Sequence, residues 1–180
     1  MTDYLDYHLV CEDQSEYEKL PDNTLILKFK IPGRPSTKKT SQRVVRRGKY
    51  TKILPSALYE RYENNCKGYC ESFWKNLNLE PMDFGISLKL KVFLDSWIVG
   101  DECGYQQAHG DIIQKHGIIA DDMWIHWVDN DSHMINIDKE NPRIEVEIYR
   151  YRHPKEEFRN EQKIAEAKKA ARKEAKAKKV

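Results

Sequence analysis

Four aspartates, Asp101, Asp111, Asp121 and Asp122, are the residues whose type and spacing best suit chemistry. Carboxylate oxygens are what hard divalent cations such as Mg²⁺ bind, with water completing the shell. A cation held this way polarises a phosphate, activates a water and stabilises a leaving oxygen, as phosphodiester hydrolysis requires. For the four to meet, the chain must double back. A helix is expected from about Tyr105 to His116, and such a helix is about 18 Å long. The segment from Gly117 to Asp121 reaches back about 16 Å if extended. Asp121 and Asp122 can therefore return towards Asp101, with Asp111 part-way along the helix. The same spacing also fits a solvated turn at Asp121-Asp122 and a surface residue at Asp111.

The second chemical feature is a segregation of charge that the net value of +2 conceals. Residues 1–22 hold seven acids and one base, Lys19. Residues 23–59 hold ten bases and no acid: Lys28, Lys30, Arg34, Lys38, Lys39, Arg43, Arg46, Arg47, Lys49 and Lys52. With no acid interleaved, local pairs cannot neutralise these bases. They stand among small donors (Ser36, Thr37, Thr40, Ser41, Gln42) on turn-rich chain, the combination that contacts a phosphate backbone. Nucleic-acid binding is the expected role, with Lys38, Lys39, Arg43, Arg46, Arg47, Lys49 and Lys52 as contacts. A solvated hairpin, or a surface for an acidic protein partner, is the alternative.

The elements that must position these groups follow from periodicity. Leu25 to Ile31 reads as a strand, closed by Pro32-Gly33-Arg34-Pro35 because two prolines cannot continue a ladder. Val44-Val45-Arg46 and Tyr50 to Ile53 read as a hairpin around Gly48. Pro55-Ser56 opens a helix to about Lys75, with Leu58, Tyr62, Cys66 and Tyr69 as its apolar stripe. Ile86 to Ile98 is a long strand candidate. The Tyr105–His116 helix turns Ala108, Ile112 and Ile113 to one face and Gln107, Asp111 and Gln114 to the other. Met123–Val128 and Met134–Ile137 are short strand candidates, and Arg143–Tyr149 alternates as a half-buried strand does. The fold expected is α/β (α+β): a small mixed β-sheet flanked by two main helices. An acidic N-terminal arm (1–22), free or docked, precedes a central domain (23–153). A Lys/Ala-rich tail (154–180) follows, helical and solvated because it has no apolar stripe to bury.

No apolar run is long enough for a bilayer and no cationic-apolar signal opens the chain, so a cytoplasmic protein with free thiols is expected. Cys66 and Cys70, one helical turn apart, suit packing better than zinc. Trp74, Trp97, Trp124 and Trp127 are expected in the core, with stacking on bases as the alternative. His109 and His116 lack acidic company at ligand spacing.

Three stretches together resemble a known family. They are Ile31 to Arg43 with Leu54-Pro55-Ser56, Tyr59 and Tyr62; Asp111 to Asp122; and Ile137 to Val146. In order and spacing they are similar to RusA-type crossover (Holliday) junction endodeoxyribonucleases, common in phages and prophages, and the likeness covers roughly Leu25 to Tyr149. The resemblance implies a homodimer that cuts four-way DNA junctions in a bacterial or phage-infected cell, with Mg²⁺ or Mn²⁺ held by aspartates. It places catalytic roles on Asp101, Asp111 and Asp122, with Asp121 as a further metal ligand. The sequence departs from the family motif in three places. Cys103 stands where a second metal-binding Asp is usual, Gly104 where an Asn is usual, and Gln107 where a Lys is usual. Glu102 is a substitute carboxylate next to the vacant position. An active nuclease and a branch-binding protein without cutting activity are both compatible with this pattern.

Overall fold

Arg143 to Arg150 alternates side chains with period two, and the strand it forms lies within the sheet and buries every second residue. A computed structural model describes residues 7–9, 13–39, 42–97, 100–128 and 133–177 of the chain. It shows a mixed α+β fold. The strands are β1 (Tyr7–Leu9), β2 (Leu25–Pro32), β3 (Arg43–Arg47), β4 (Tyr50–Leu54), β5 (Ile86–Leu94), β6 (Ile125–Trp127), β7 (Ile135–Ile137) and β8 (Arg143–Arg150). The helices are α1 (Ala57–Asn76), α2 (Glu102–Lys115) and α3 (Pro154–Ala177). The main sheet runs β1-β2-β8-β5-β6, with β7 also on β5. β1, β2, β8 and β5 are each antiparallel to their neighbours in that order, whereas β6 and β7 run parallel to β5. The β5–α2–β6 passage is a parallel crossover, and it carries all four aspartates.

One sheet face supplies Leu27, Phe29, Ile31, Ile86, Leu88, Leu90, Val92, Ile144, Val146 and Ile148 to the core. α1 closes over that core with Tyr59, Tyr62, Cys66, Cys70, Phe73 and Trp74. Each such side chain contributes about 1.5–3 kcal/mol by leaving water. The stripe is turned one residue from the one expected: Tyr59 is buried and Leu58 is exposed. Tyr62 and Cys66 belong to both stripes, and the burial of Cys70, Phe73 and Trp74 sets the observed one. Cys66 and Cys70 are packed thiols, and burial pushes Cys66 up to about 12. α2 buries Tyr105, Ala108, Ile112 and Ile113 and turns Gln107 outwards, as its pattern requires.

The outer sheet face carries charge instead. β2 sets Lys28 and Lys30 opposite Glu147 and Glu145 of β8, which oppose Lys89 and Lys91 of β5. Lys28 pairs with Glu147 at 2.6 Å. These two lysines of the acid-free segment therefore belong to the sheet rather than to a nucleic-acid surface.

The described part of the N-terminal arm is docked. β1 adds a strand to the edge of the sheet, and Tyr17, in a 3₁₀ turn at Gln14–Lys19, is fully buried. The tail is docked at its start, a correction to the wholly solvated helix expected. Arg150 and Glu156 are both buried and form a two-pronged ion pair, 2.9 and 2.6 Å. Arg150 also donates to the carbonyls of Glu18 and Gly85, so a single guanidinium ties arm, sheet and tail together. Gly85 is required here, because any Cβ would collide with the Tyr151 carbonyl and His153.

Other boundaries moved. β5 ends at Leu94 rather than Ile98, which lies outside the described residues, and Asp95 pairs with Arg34 at 3.1 Å. The Met123–Val128 candidate opens as a 3₁₀ turn, Asp122–Trp124, and only then becomes β6. Trp74 and Trp124 are buried as expected, but Trp97 is 78% exposed. Among the described residues, no helix is long and apolar enough to cross a membrane.

Candidate functional site

α2 positions the acidic groups. Its outward residues Cys103, Gln107 and Asp111 recur every four positions, so they stack along one side of the helix. Asp122, at the entry to β6, faces the same space, and Ile125 and Trp127 form its apolar side. The result is an open cleft of about 340 Å³. α2 approaches β6 closely because position 110 is glycine: a Cβ there would press on Ile125 and Trp127 at 3.2–3.3 Å.

The four aspartates divide into two pairs. Asp111 and Asp122 line the cleft. Asp101 does not: it is the N-cap of α2 and accepts the backbone N–H of Gly104. Asp121 caps the 3₁₀ turn and accepts from Met123 N at 2.9 Å. Capping by Asp is a strong local preference, worth about 0.5–2 kcal/mol, and it accounts for both residues without a metal. Among the described residues no group of three or more His, Cys, Asp or Glu side chains stands close enough to cage a metal ion. Two carboxylates in a polar cleft do fit Mg²⁺ as it binds beside a phosphate, through one or two carboxylates with water and phosphate oxygens. The residues present thus fit a divalent cation completed by water or phosphate oxygens, and do not form a standing cage.

The basic segment meets this cleft. After β2, Gly33 adopts φ +101° and the chain turns over the start of α2. Pro35, Ser36 and Thr37 are buried there, the Thr37 methyl lying beside Gly100 and Gly104. Lys38 follows, and its ammonium pairs with the Asp111 carboxylate. Both side chains keep about a third of their surface exposed (37% and 30%), so a ligand can reach and exchange this pair. Lys38 also stands 6.0 Å above the Tyr59 ring. Burial holds the Tyr59 hydroxyl well above its ordinary range, and the Glu63 and Asp111 carboxylates add to this, so it stays protonated.

Beyond Lys39 the chain rises into the β3–β4 hairpin, which pairs only with itself. Gly48 takes φ +60° at the tip, where a two-residue connection favours glycine. Arg43 anchors the base, donating to the Pro55 carbonyl at 3.0 Å and pairing with Glu60 at 2.6 Å. Arg43 is thus a structural clamp rather than an open phosphate contact. Four cations of the segment, Lys28, Arg34, Lys38 and Arg43, have found acids distant in sequence. Lys39, Arg46, Lys49 and Lys52 are exposed, with no acidic partner among the described residues. The Arg47 side chain lies outside the described residues.

His109 and His116 are structural. His109 is fully buried, and burial pulls it down to about 4. Its Nδ1 lies 2.7 Å from the Tyr105 carbonyl and its Nε2 2.8 Å from the Tyr62 hydroxyl. A neutral ring with the proton on Nδ1 satisfies both contacts, with Tyr62 donating to Nε2. His116 is lowered as well, chiefly by burial. Neither is a general base for the cleft.

The Lys38–Asp111 pair escaped the sequence reading, because it joins residues 73 apart and has no local signal. The sequence did place Gln107 and Asp111 on one helix face, and the same four-residue spacing adds Cys103 to it. Comparison with protein-family models finds no match for this chain, and comparison with curated proteins finds no significant match.

Proposed function

We propose that this protein is a structure-selective, Mg²⁺- or Mn²⁺-dependent endodeoxyribonuclease acting on four-way DNA junctions, in the manner of the RusA-type enzymes it resembles. One observation carries the reading: the basic loop packs on α2 so that Lys38 meets Asp111 in the cleft that Asp122 also lines. A phosphate-binding cation and two metal-competent carboxylates thus share one exposed place.

Asp111 and Asp122 would hold the divalent ion. When bound, the ion supplies Lewis-acid polarisation of a phosphate and lowers the pKa of a coordinated water. The chain's own residues do the rest. Lys38 exchanges the Asp111 carboxylate for an incoming phosphate, which places the scissile group in the cleft and frees Asp111 for the cation. Lys39, Arg46, Lys49 and Lys52 hold the flanking backbone. Gln107 offers an uncharged amide donor beside Asp111. Symmetric incision of two strands calls for two clefts, so a homodimer is part of the proposal.

The test is incubation with synthetic four-way junctions and linear duplex in Mg²⁺ or Mn²⁺, beside Asp111→Asn and Asp122→Asn. Paired, metal-dependent nicks at the junction, lost in both variants, are expected. A second reading has its own observation: Cys103 and Gln107 give the cleft only two carboxylates, which favours a protein that binds branched DNA without cutting. Tight junction binding with no nicks in either metal would select it.

A further inference from the structure

The β3–β4 hairpin poses a physical problem. An isolated two-stranded ribbon is at best marginally stable in water. This one exposes apolar side chains on both faces: Tyr50 is 82% exposed, Val44 66% and Ile53 62%. The strand register fixes which face each takes. Arg47 pairs with Tyr50, Val45 with Lys52 and Arg43 with Leu54, so Val45, Tyr50 and Lys52 share one face. Val44 pairs with Ile53 and Arg46 with Thr51, so these four share the other. A ribbon that lies on a single surface needs one apolar face and presents a polar one to water. Two apolar faces, each with cations, suit a ribbon with partner surfaces on both sides.

We infer that the β3–β4 ribbon is a wedge that enters the branch point of DNA, with Tyr50 stacked on a base on one side and Val44 and Ile53 against bases on the other. This rests on the junction-binding reading above. The charge selects the occupant. The hairpin has no acid, so a second ribbon would set Arg46, Lys49 and Lys52 against their own copies, whereas DNA sets them against phosphates. The shape agrees. Strands of this length run about 17 Å, enough to cross a space the width of a major groove, about 12 Å. Apolar wedges unstack base steps in this way, and a branch point, where stacking is already interrupted, costs least to open. The ribbon would then supply preference for branches, while Lys39 and the other cations supply affinity for any duplex.

The experiment compares full-length wild type, Tyr50→Ala, Tyr50→Trp and Lys49→Gln/Lys52→Gln on a four-way junction and on linear duplex, in EDTA so that nothing is cut. A 2-aminopurine placed at the branch point reports base unstacking. Tyr50 is exposed, so its replacement leaves the core intact. Tyr50→Ala is expected to weaken junction binding by at least about fivefold, the lower end for loss of one aromatic–base stack. Its duplex affinity should stay within about twofold and the 2-aminopurine signal should be lost. Tyr50→Trp should keep both, and the double lysine variant should weaken junction and duplex alike. Equal weakening of both DNAs by Tyr50→Ala would overturn the wedge, as would an unchanged junction affinity. A variant that leaves DNA binding intact but breaks a dimer in light scattering would overturn it in favour of a contact between copies. If wild type itself fails to prefer junctions, the proposed function fails first, which separates the two.

Discussion

Salt dependence offers the sharpest measurement, because the ion pairs change its expected size. Each phosphate neutralised by a protein cation contributes about −0.9 to the slope of log K against log salt. If all ten bases of residues 23–59 bound phosphate, their slope would be about −9, a loss of more than 10⁵-fold between 50 and 200 mM salt. In the structure Lys28, Arg34 and Arg43 are held by Glu147, Asp95 and Glu60, and Lys30 lies opposite Glu145 on the sheet. Lys38 leaves Asp111 uncompensated when it moves to a phosphate, so the cation Asp111 then takes up offsets the one released. Lys39, Arg46, Lys49 and Lys52 remain. Their joint contribution is about −3.6, or about 150-fold over that salt range; Arg47, if it joins them, brings the figure to about −4.5. Fluorescence anisotropy with a labelled junction in EDTA, from 50 to 200 mM KCl, measures it. The quantity is the difference in slope between wild type and the variant with these four changed to Gln, which removes the tail's own contribution. Lys52→Gln alone should reduce the slope by about 0.9, and Lys28→Gln should leave it unchanged. A Lys28→Gln effect as large as that of Lys52→Gln would refute the partition of cations drawn from the pairs.

Three further outcomes are expected. Asp101→Ser keeps a capping oxygen and should retain metal-dependent cleavage, while Asp101→Ala should lower stability by about 1 kcal/mol in denaturant melts; loss of cleavage in Asp101→Ser would make Asp101 a ligand after all. Glu156→Gln leaves Arg150 buried without its counter-charge and should cost about 3–5 kcal/mol, read as a lower unfolding midpoint in urea, and a change under 1 kcal/mol would mean that water already reaches Arg150. His109 binds its proton more weakly folded (about 4) than unfolded (about 6.5), so the stability it contributes is full above pH 6.5 and is lost as pH falls towards 4. That loss is about 3 kcal/mol, and His109→Gln should flatten this part of the pH–stability curve.

Much of the fold was legible because its signals are local. The alternation of Arg143–Tyr149, the two faces of α2 and the glycine turn of the hairpin each follow from neighbouring residues. What was not legible depends on partners far along the chain. An acid-free stretch looks unpaired when read locally, yet Glu147, Asp95, Asp111 and Glu60 reach four of its cations through tertiary contact. The same applies to Arg150, one residue past the strand read from the sequence: it falls on the buried face of β8, where the approach of Glu156, Gly85 and Glu18 makes a buried guanidinium tolerable. At the candidate site, spacing drew all four aspartates towards one centre. It could not show that Asp101 and Asp121 turn back to cap their own helical turns, a purely local competitor for the same oxygens.

The ladder of charge on the open sheet face has a consequence for how the chain finds its fold. The buried face cannot tell a two-residue slip of β8 from the true alignment, because Ile144, Val146 and Ile148 are nearly interchangeable. The open face can. In the observed alignment Lys28 and Lys89 flank Glu147, Lys30 and Lys91 flank Glu145, and Arg143 lies 3.7 Å above the Phe93 ring. Slipping β8 by two residues one way sets Arg143 between Lys30 and Lys91, three positive charges abreast; slipping it the other way leaves Lys28 and Lys89 opposite Tyr149. Misaligned intermediates would therefore be penalised by electrostatics that water only partly screens, and high salt should slow correct folding by blurring that distinction.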